Sequence, residues 1–147
     1  MNPFKRILVA TDLTPASDPA LEEAILLAKE NGAELLIAHA YHPPSLSQAA
    51  AVAPGVYEEW DRNMRAEVEG RLEELAANAV KAGIKAQPMI LAGAPYEAIT
   101  EAAKLNGIDL VIMGTHARKG VSRFFVGSVA SRVVASAPCP VMTVRAA

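Results

Sequence analysis

Short apolar segments alternate with longer amphipathic segments along the whole chain. Five apolar runs rich in β-branched residues predict buried strands, at residues 6–10, 34–40, 85–91, 109–113 and 141–144. Between them, apolar residues recur every three or four positions, which predicts four helices. Three of these helices stop at Gly32, Gly83 and Gly107, and glycine commonly takes the left-handed position at a helix end. This alternation predicts βαβ units and a parallel sheet.

The predicted helices differ in length and in the residues that they bury. The second helix is the longest, begins at Tyr57, and has a predicted buried stripe of Trp60, Met64, Val68, Leu72 and Leu75. The first helix is predicted to bury Leu21, Ile25 and Ala28. The third follows Pro95 and the fourth opens at Ser128. Residues 41–56 are rich in proline, alanine and serine and predict a surface loop.

Five strands with right-handed helical crossovers predict a doubly wound parallel sheet with helices on both faces. The most polar strand ends are those at Asp12 and Gly114, after strands one and four. The order 3-2-1-4-5 makes these two strands neighbours and places the reversal of winding, where ligands bind, between them. The order 2-1-3-4-5 would instead pair strand one with strand three, whose end offers little beyond backbone.

Two glycine-marked turns suggest a phosphate site. Gly114 follows strand four, and Gly127 precedes the fourth helix, where the hydroxyl of Ser128, free N–H groups and the helix dipole converge. We therefore expect main-chain N–H groups after Met113 and before Val129 to face one anion. The chain has neither a P-loop ending nor a Gly-x-Gly-x-x-Gly motif, so both glycines could also be plain turn residues.

Other chemistries lack an essential residue. His39 and His42 have no third ligand of a suitable type nearby, which argues against zinc. Asp12 has no second carboxylate partner two residues away, as a phosphatase of the Asp-x-Asp type would need, and could simply form a turn. No Gly-x-Ser-x-Gly elbow is present. We expect no efficient enzyme, and at most slow hydrolysis.

Length and charge limit the partners. The 147 residues predict a single domain, and the net charge of −2 argues against a nucleic-acid or membrane surface. The chain has one cysteine, Cys139, and no apolar run of membrane length or signal-peptide type. These features predict a soluble, cytoplasmic protein.

Motifs spread over nearly the whole chain resemble those of the universal stress protein family. Gly114, Gly127 and Ser128 fall on that family's glycine pattern, and Ala117 stands where the pattern has a second glycine. Further matching segments are Val-Ala-Thr-Asp at 9–12, Ala-His-Ala at 38–40, Gly-x-Pro at 93–95, Ile-Met-Gly-Thr-His at 112–116 and Ala-Pro-Cys-Pro-Val at 137–141.

The resemblance implies a Rossmann-like fold of the adenine nucleotide alpha hydrolase type, in one domain spanning residues 1–147. It implies a stress-response regulator that binds ATP, AMP or ADP, with Mg²⁺ held mainly by the phosphates. Asp12 and the backbone at Ala40 would contact ribose and adenine, while Gly114, Gly127, Ser128 and Val129 would hold the phosphates. The full expected site comprises Ala10, Thr11, Asp12, Ala40, Met113, Gly114, His116, Ala117, Arg118, Gly127, Ser128 and Val129.

The resemblance also implies a homodimer joined partly through the last strand, Val141–Val144, whose apolar composition suits an edge that must be covered. One alternative remains open. The chain could be a dimeric interaction protein of the same fold that binds no nucleotide, with Ala117 marking a lost pocket, because a Cβ at a position of positive φ costs on the order of 1–2 kcal/mol.

Overall fold

Five parallel strands form one sheet at the centre of the molecule. In the computed structural model, which describes residues 3–41, 47, 50–115 and 127–145, they are β1 (Arg6–Ala10), β2 (Glu34–Tyr41), β3 (Lys85–Ala92), β4 (Leu110–Gly114) and β5 (Val141–Val144). Their order is β3-β2-β1-β4-β5. β1 pairs in parallel with β2 on one side and with β4 on the other, so the predicted order 3-2-1-4-5 is confirmed.

Four helices of eight or more residues in the described part of the chain connect the strands, near the predicted positions. They are α1 (Asp18–Asn31), α2 (Val56–Lys81), α3 (Pro95–Leu105) and α4 (Ser128–Ser136), and a short 3-10 helix (Pro15–Ser17) precedes α1. The predicted loop at 41–56 lies partly outside the described residues. Its first residue, Tyr41, belongs to β2, its last residue, Val56, begins α2, and Ser47 and Ala50 have helical backbone, so the loop interpretation is wrong at these four positions. Among the described residues, no helix is long and apolar enough to cross a membrane.

The three central strands β2, β1 and β4 are buried on both faces, as their continuous apolar sequences require. Ile7 and Val9 of β1 point into a cluster shared with α1 and α2, whereas Leu8 points into a second cluster shared with α3 and α4. All three side chains are fully buried. Alternate residues of one strand therefore hold the two helical layers against the same sheet.

The buried face of α1 is offset from the predicted one. Ala20, Ala24 and Ala28 are fully buried, whereas Leu21 and Ile25 are only partly buried at the margin of the cluster. A row of alanines at four-residue spacing has little side-chain bulk, so the helix axis can lie close to the sheet.

The predicted stripe of α2 is correct only in its later turns. Val68 and Leu72 are buried, and Met64 and Leu75 pack at the margin, but Trp60 is 46% exposed. The reason is the length of the sheet. Tyr41, the last residue of β2, donates its hydroxyl hydrogen bond to Asp61, so the turns of α2 before Asp61 extend past the end of that strand.

Candidate functional site

A cavity of about 310 Å³ opens at the carboxyl ends of β1, β2 and β4 and is closed on one side by the start of α4. It lies where the winding of the sheet reverses, between β1 and β4. Nine of the predicted site residues line it: Ala10, Thr11, Asp12, Ala40, Met113, Gly114, Gly127, Ser128 and Val129. The remaining three, His116, Ala117 and Arg118, lie outside the described residues.

Six further residues line the cavity that were not predicted as part of a site. They are Ala16, Ser17, His39, Pro95, Ile99 and Ala130. Pro95 belongs to a motif that carries the family resemblance, and Ser17 reaches the cavity because it ends the short 3-10 helix after the Asp12 loop. Ile99 and Ala130 carry no chemical signal in the sequence, because only the packing of α3 and α4 beside β4 brings them to the cavity wall.

The first turn of α4 supplies the cavity's hydrogen-bond donors. Gly127 is the N-cap, and the first bond of the helix runs from the N–H of Ser131 to the Gly127 carbonyl at 2.9 Å. The N–H groups of Ser128, Val129 and Ala130 therefore have no acceptor among the residues that the structure describes. These residues line the cavity, so three donors and the positive end of the helix dipole are available to an anion.

The N–H groups on the opposite side do not meet the expectation of a shared anion. The N–H of Thr115, just after β4, donates to the carbonyl of Val144 at 3.1 Å. The N–H of Gly127 donates to the carbonyl of Thr115 at 3.0 Å. Both groups are thus used within the protein, where they fasten the start of α4 to the end of β4. The two turns do border one hollow, and its free donors come from α4.

Gly114 borders the cavity and does not form a strained turn. It is the last residue of β4, and its φ lies outside the left-handed region. A Cβ placed there would lie 3.6 Å from the carbonyl oxygen of Ala16 and 3.8 Å from that of Val144, which is ordinary contact. The absence of a Cβ at Gly114 is therefore not required by the folding of the chain.

Asp12 is held by its own loop through one carboxylate oxygen. Its Oδ1 accepts bonds from the N–H of Thr14 at 2.8 Å, the hydroxyl of Thr14 at 2.7 Å and the hydroxyl of Ser17 at 2.6 Å. Partial burial raises the pKa of the Asp12 carboxyl, but these hydrogen bonds outweigh it and hold the pKa below its usual value. Asp12 thus forms the turn considered as an alternative, while Oδ2 has no partner among the described residues.

The residue after Asp12 has an unusual backbone. Leu13 has a φ of 64°, a left-handed conformation that costs a non-glycine residue roughly 1–2 kcal/mol. Its N–H donates to the hydroxyl of Thr11 at 3.0 Å, and its carbonyl accepts a bond from the guanidinium of Arg71 on α2. Strain of this kind persists only where surrounding contacts determine it, and such places are often functional.

His39 presents a defined ring to the cavity wall. Its Nδ1 lies 2.9 Å from the carbonyl oxygen of Thr11, and a carbonyl only accepts, so Nδ1 carries the proton. In the neutral ring Nε2 is therefore an acceptor. Within the described part of the chain, no three His, Cys, Asp or Glu side chains are grouped closely enough to hold a metal ion.

Comparison with known families and sequences gives one consistent result. The model of the universal stress protein family matches residues 3–145. A universal stress protein of Thermus aquaticus is 36% identical over 142 residues, covering 97% of this chain and 99% of the relative. Universal stress protein MJ0531 of Methanocaldococcus jannaschii is 33% identical, covering 98% of this chain and 84% of its own length.

Solved structures of low identity share the fold. M. jannaschii MJ0577 superposes with a TM-score of 0.83 at 23% identity, over 99% of this chain and 98% of that one. A universal stress protein in complex with cAMP gives 0.73 at 24% identity, over 99% of both chains. The Archaeoglobus fulgidus protein in complex with dAMP gives 0.66 at 20% identity, over 96% of this chain and 98% of that one.

Proposed function

Because the chain belongs to the universal stress protein family, we propose that it binds an adenine nucleotide in the cavity between β1 and β4. In this proposal the nucleotide-bound protein acts as a cytoplasmic stress-response regulator, and nucleotide binding rather than turnover is its activity. Two proteins of the same fold were solved with adenine nucleotides, one with cAMP and one with dAMP.

The observation that carries this proposal is the position of the unpaired donors. The N–H groups of Ser128, Val129 and Ala130 open onto the same cavity as Asp12, so an anion-binding end and a hydroxyl-binding end share one space. The volume of about 310 Å³ is near the lower end of the range of roughly 300–1,000 Å³ that is typical of small-molecule sites. A mononucleotide has the matching sequence of groups: phosphate, ribose and base.

The proposed placement follows from the chemistry of the walls. Phosphate would accept bonds from the first turn of α4 and from the hydroxyl of Ser128. The unpaired Oδ2 of Asp12 would accept a ribose hydroxyl. The base would lie against the apolar side of the cavity, near Ala40, Ile99 and Met113. His116, Ala117 and Arg118 would complete the phosphate side.

The ligand class is ATP, ADP or AMP. Any Mg²⁺ would be held mainly by the phosphates, since the described residues offer no cluster of carboxylates. The hydroxyl of Ser17 does donate to the Asp12 carboxylate, but the same carboxylate oxygen also accepts two bonds from Thr14, so this pair is used to hold the loop and we expect hydrolysis to be slow or absent.

Two substitutions at one position test the anion-binding end. Ser128→Ala removes only the hydroxyl, whereas Ser128→Pro also removes one N–H. Proline suits the first position of α4, because the preceding Gly127 has a ψ of 157°, as residues before proline prefer. The chain already has this arrangement in α3, where Pro95 follows Ala94 with a ψ of 137°. The helix should therefore form in both variants.

We expect Ser128→Pro to weaken AMP and ATP binding, measured by calorimetry, more than Ser128→Ala does. A hydrogen bond to a charged group contributes about 1.5–3 kcal/mol, so the additional loss should be roughly 10- to 150-fold. Equal affinities of the two variants would contradict the placement of phosphate at α4. No saturable binding to the wild type at millimolar nucleotide would favour the alternative, an interaction protein that binds no nucleotide.

The two sheet edges favour a homodimer through β5. The N–H groups of Val111 and Thr115 bond to the carbonyls of Pro140 and Val144. Because alternate residues face the same neighbour, the polar backbone groups of Val141 and Thr143 point away from β4. That edge is open to pairing, whereas β3 at the opposite edge carries Pro88, which cannot donate to a further strand.

A further inference from the structure

The loop that carries Asp12 is held mostly by bonds within itself. The N–H of Asp12 donates to Ser17 Oγ at 3.0 Å, the N–H of Leu13 to Thr11 Oγ1, and the N–H of Thr14 to Asp12 Oδ1. These bonds fix the outward course of the loop but leave the carbonyl of Leu13 without a local donor. A left-handed leucine in this position depends on contacts from elsewhere.

Two contacts from outside the loop reach Leu13. Its side chain packs at the margin of the core cluster shared with α1 and α2. Its carbonyl accepts a hydrogen bond from Arg71, which lies 58 residues further along the chain on α2. Arg71 forms no ion pair with any acidic residue of the described chain, although Glu67 and Glu74 lie one turn away on either side. The Leu13 carbonyl is thus its specific partner.

We propose that Arg71 is a positioning residue for the nucleotide site. It holds the carbonyl of Leu13, this bond maintains the left-handed turn, and the turn sets the direction in which Asp12 presents its free carboxylate oxygen to the cavity. The effect on ligand affinity rests on the proposed function. The effect on the loop itself does not, so the two can be tested separately.

The first experiment compares three variants of α2 in the full chain. Arg71→Ala removes the donor, and Arg71→Lys retains a positive charge and a donor. Arg62→Ala is the matched control, because Arg62 is an exposed arginine of the same helix with no contact to the Asp12 loop among the described residues. We expect Arg71→Ala to weaken AMP binding about 10-fold, Arg71→Lys to recover part of the loss, and Arg62→Ala to bind as the wild type does.

A ligand series separates positioning from direct charge. If Arg71 acts through Asp12 and the ribose, Arg71→Ala should weaken adenosine, AMP and ATP by the same factor. A loss that grows with the number of phosphates would show that the guanidinium attracts the phosphates itself, and would overturn the proposal.

A second substitution tests the role of the backbone conformation. Asparagine takes the left-handed region several-fold more readily than leucine does, so Leu13→Asn should hold the turn with less help. We expect Arg71→Ala to cost less than about 3-fold in affinity when combined with Leu13→Asn. An undiminished 10-fold loss in that background would overturn the proposal.

Amide hydrogen exchange of the ligand-free protein provides a readout that does not require a ligand. Arg71→Ala should accelerate exchange at Leu13 and Thr14, and Arg62→Ala should not. Faster exchange in a protein whose wild type binds no nucleotide would support the loop contact while the proposed function fails. Unchanged exchange at both amides would refute the positioning role whatever the nucleotide affinities are.

Discussion

The carboxylate of Asp12 gives a prediction that can be worked through in full. In Asp12→Asn the shape of the side chain and one acceptor oxygen remain, but the negative charge is lost. That oxygen accepts three bonds, from Thr14 N–H, Thr14 Oγ1 and Ser17 Oγ. Bonds to a charged acceptor are roughly twice as strong as neutral ones. Because Asp12 is exposed to solvent, which screens its charge, we take the low end and expect a loss of about 1 kcal/mol in the free energy of unfolding.

For a chain of this length, that loss lowers Tm by about 2–4 °C at pH 7. The pH dependence of this Tm difference tests the charge of Asp12 more specifically than the size of the difference does. The folded pKa of Asp12 is lowered, so its contribution is fully present above the unfolded pKa near 3.9 and disappears as pH falls through the folded pKa. The difference in Tm between wild type and Asp12→Asn should therefore be constant from pH 8 to about 4.5 and shrink below pH 4.

The assay is thermal unfolding followed by circular dichroism from pH 8 to pH 3. Glu101→Gln is the control, because it removes one exposed carboxylate on α3 that has no hydrogen bond to another side chain of the described chain. A Tm difference for Asp12→Asn that stays constant down to pH 3 would refute the reasoning. A Tm difference at pH 7 that is no larger than the one caused by Glu101→Gln would also refute it.

Three further predictions concern the core, the sheet edge and one phenol. Leu36→Ala should reduce the free energy of unfolding in urea by about 2–5 kcal/mol because Leu36 is fully buried, while Leu105→Ala, at a side chain 74% exposed, should change it by less than about 0.5 kcal/mol. Thr143→Pro removes an N–H that points away from β4, so it should shift the proposed homodimer to monomer, as measured by the mass in light scattering; an unchanged mass would argue against pairing through β5. Burial and the hydrogen bond to Asp61 raise the pKa of Tyr41 to about 12, so the Tyr41 phenol should remain un-ionised at pH 11 in ultraviolet titration. The stability due to this neutral phenol is complete below pH 10 and is lost as pH rises through about 12.

The strand order could be predicted because chemistry and topology point to the same place. Asp12 and Gly114 follow apolar runs that read as buried strands without ambiguity, and only one of the two orders considered brings these strand ends together. The buried face of a helix could not be predicted as well. Trp60 lies on the same helical stripe as Val68, and nothing in the periodicity reveals that the sheet ends before Trp60 is reached.

The candidate site, too, could be predicted from the sequence only in part. Residues with special backbone or charge, such as Asp12, Gly114 and Gly127, could be identified from their position after a strand or before a helix. The hydrogen-bond partner of each polar group could not be identified from the sequence. The bond between Gly127 and Thr115 depends on the distance between α4 and β4, and the bond between Arg71 and Leu13 joins residues far apart in the chain.

The empty space beside Gly114 has a practical consequence for studies in living cells. A Cβ at this position would lie at normal distances from two carbonyl oxygens of the described chain, so the backbone can accept a small side chain at the border of the cavity. We therefore expect that one altered codon can change the wall of the cavity while the chain still folds. Comparing the phenotype of such a strain with that of a deletion strain would separate the contribution of the folded protein from the contribution of its cavity.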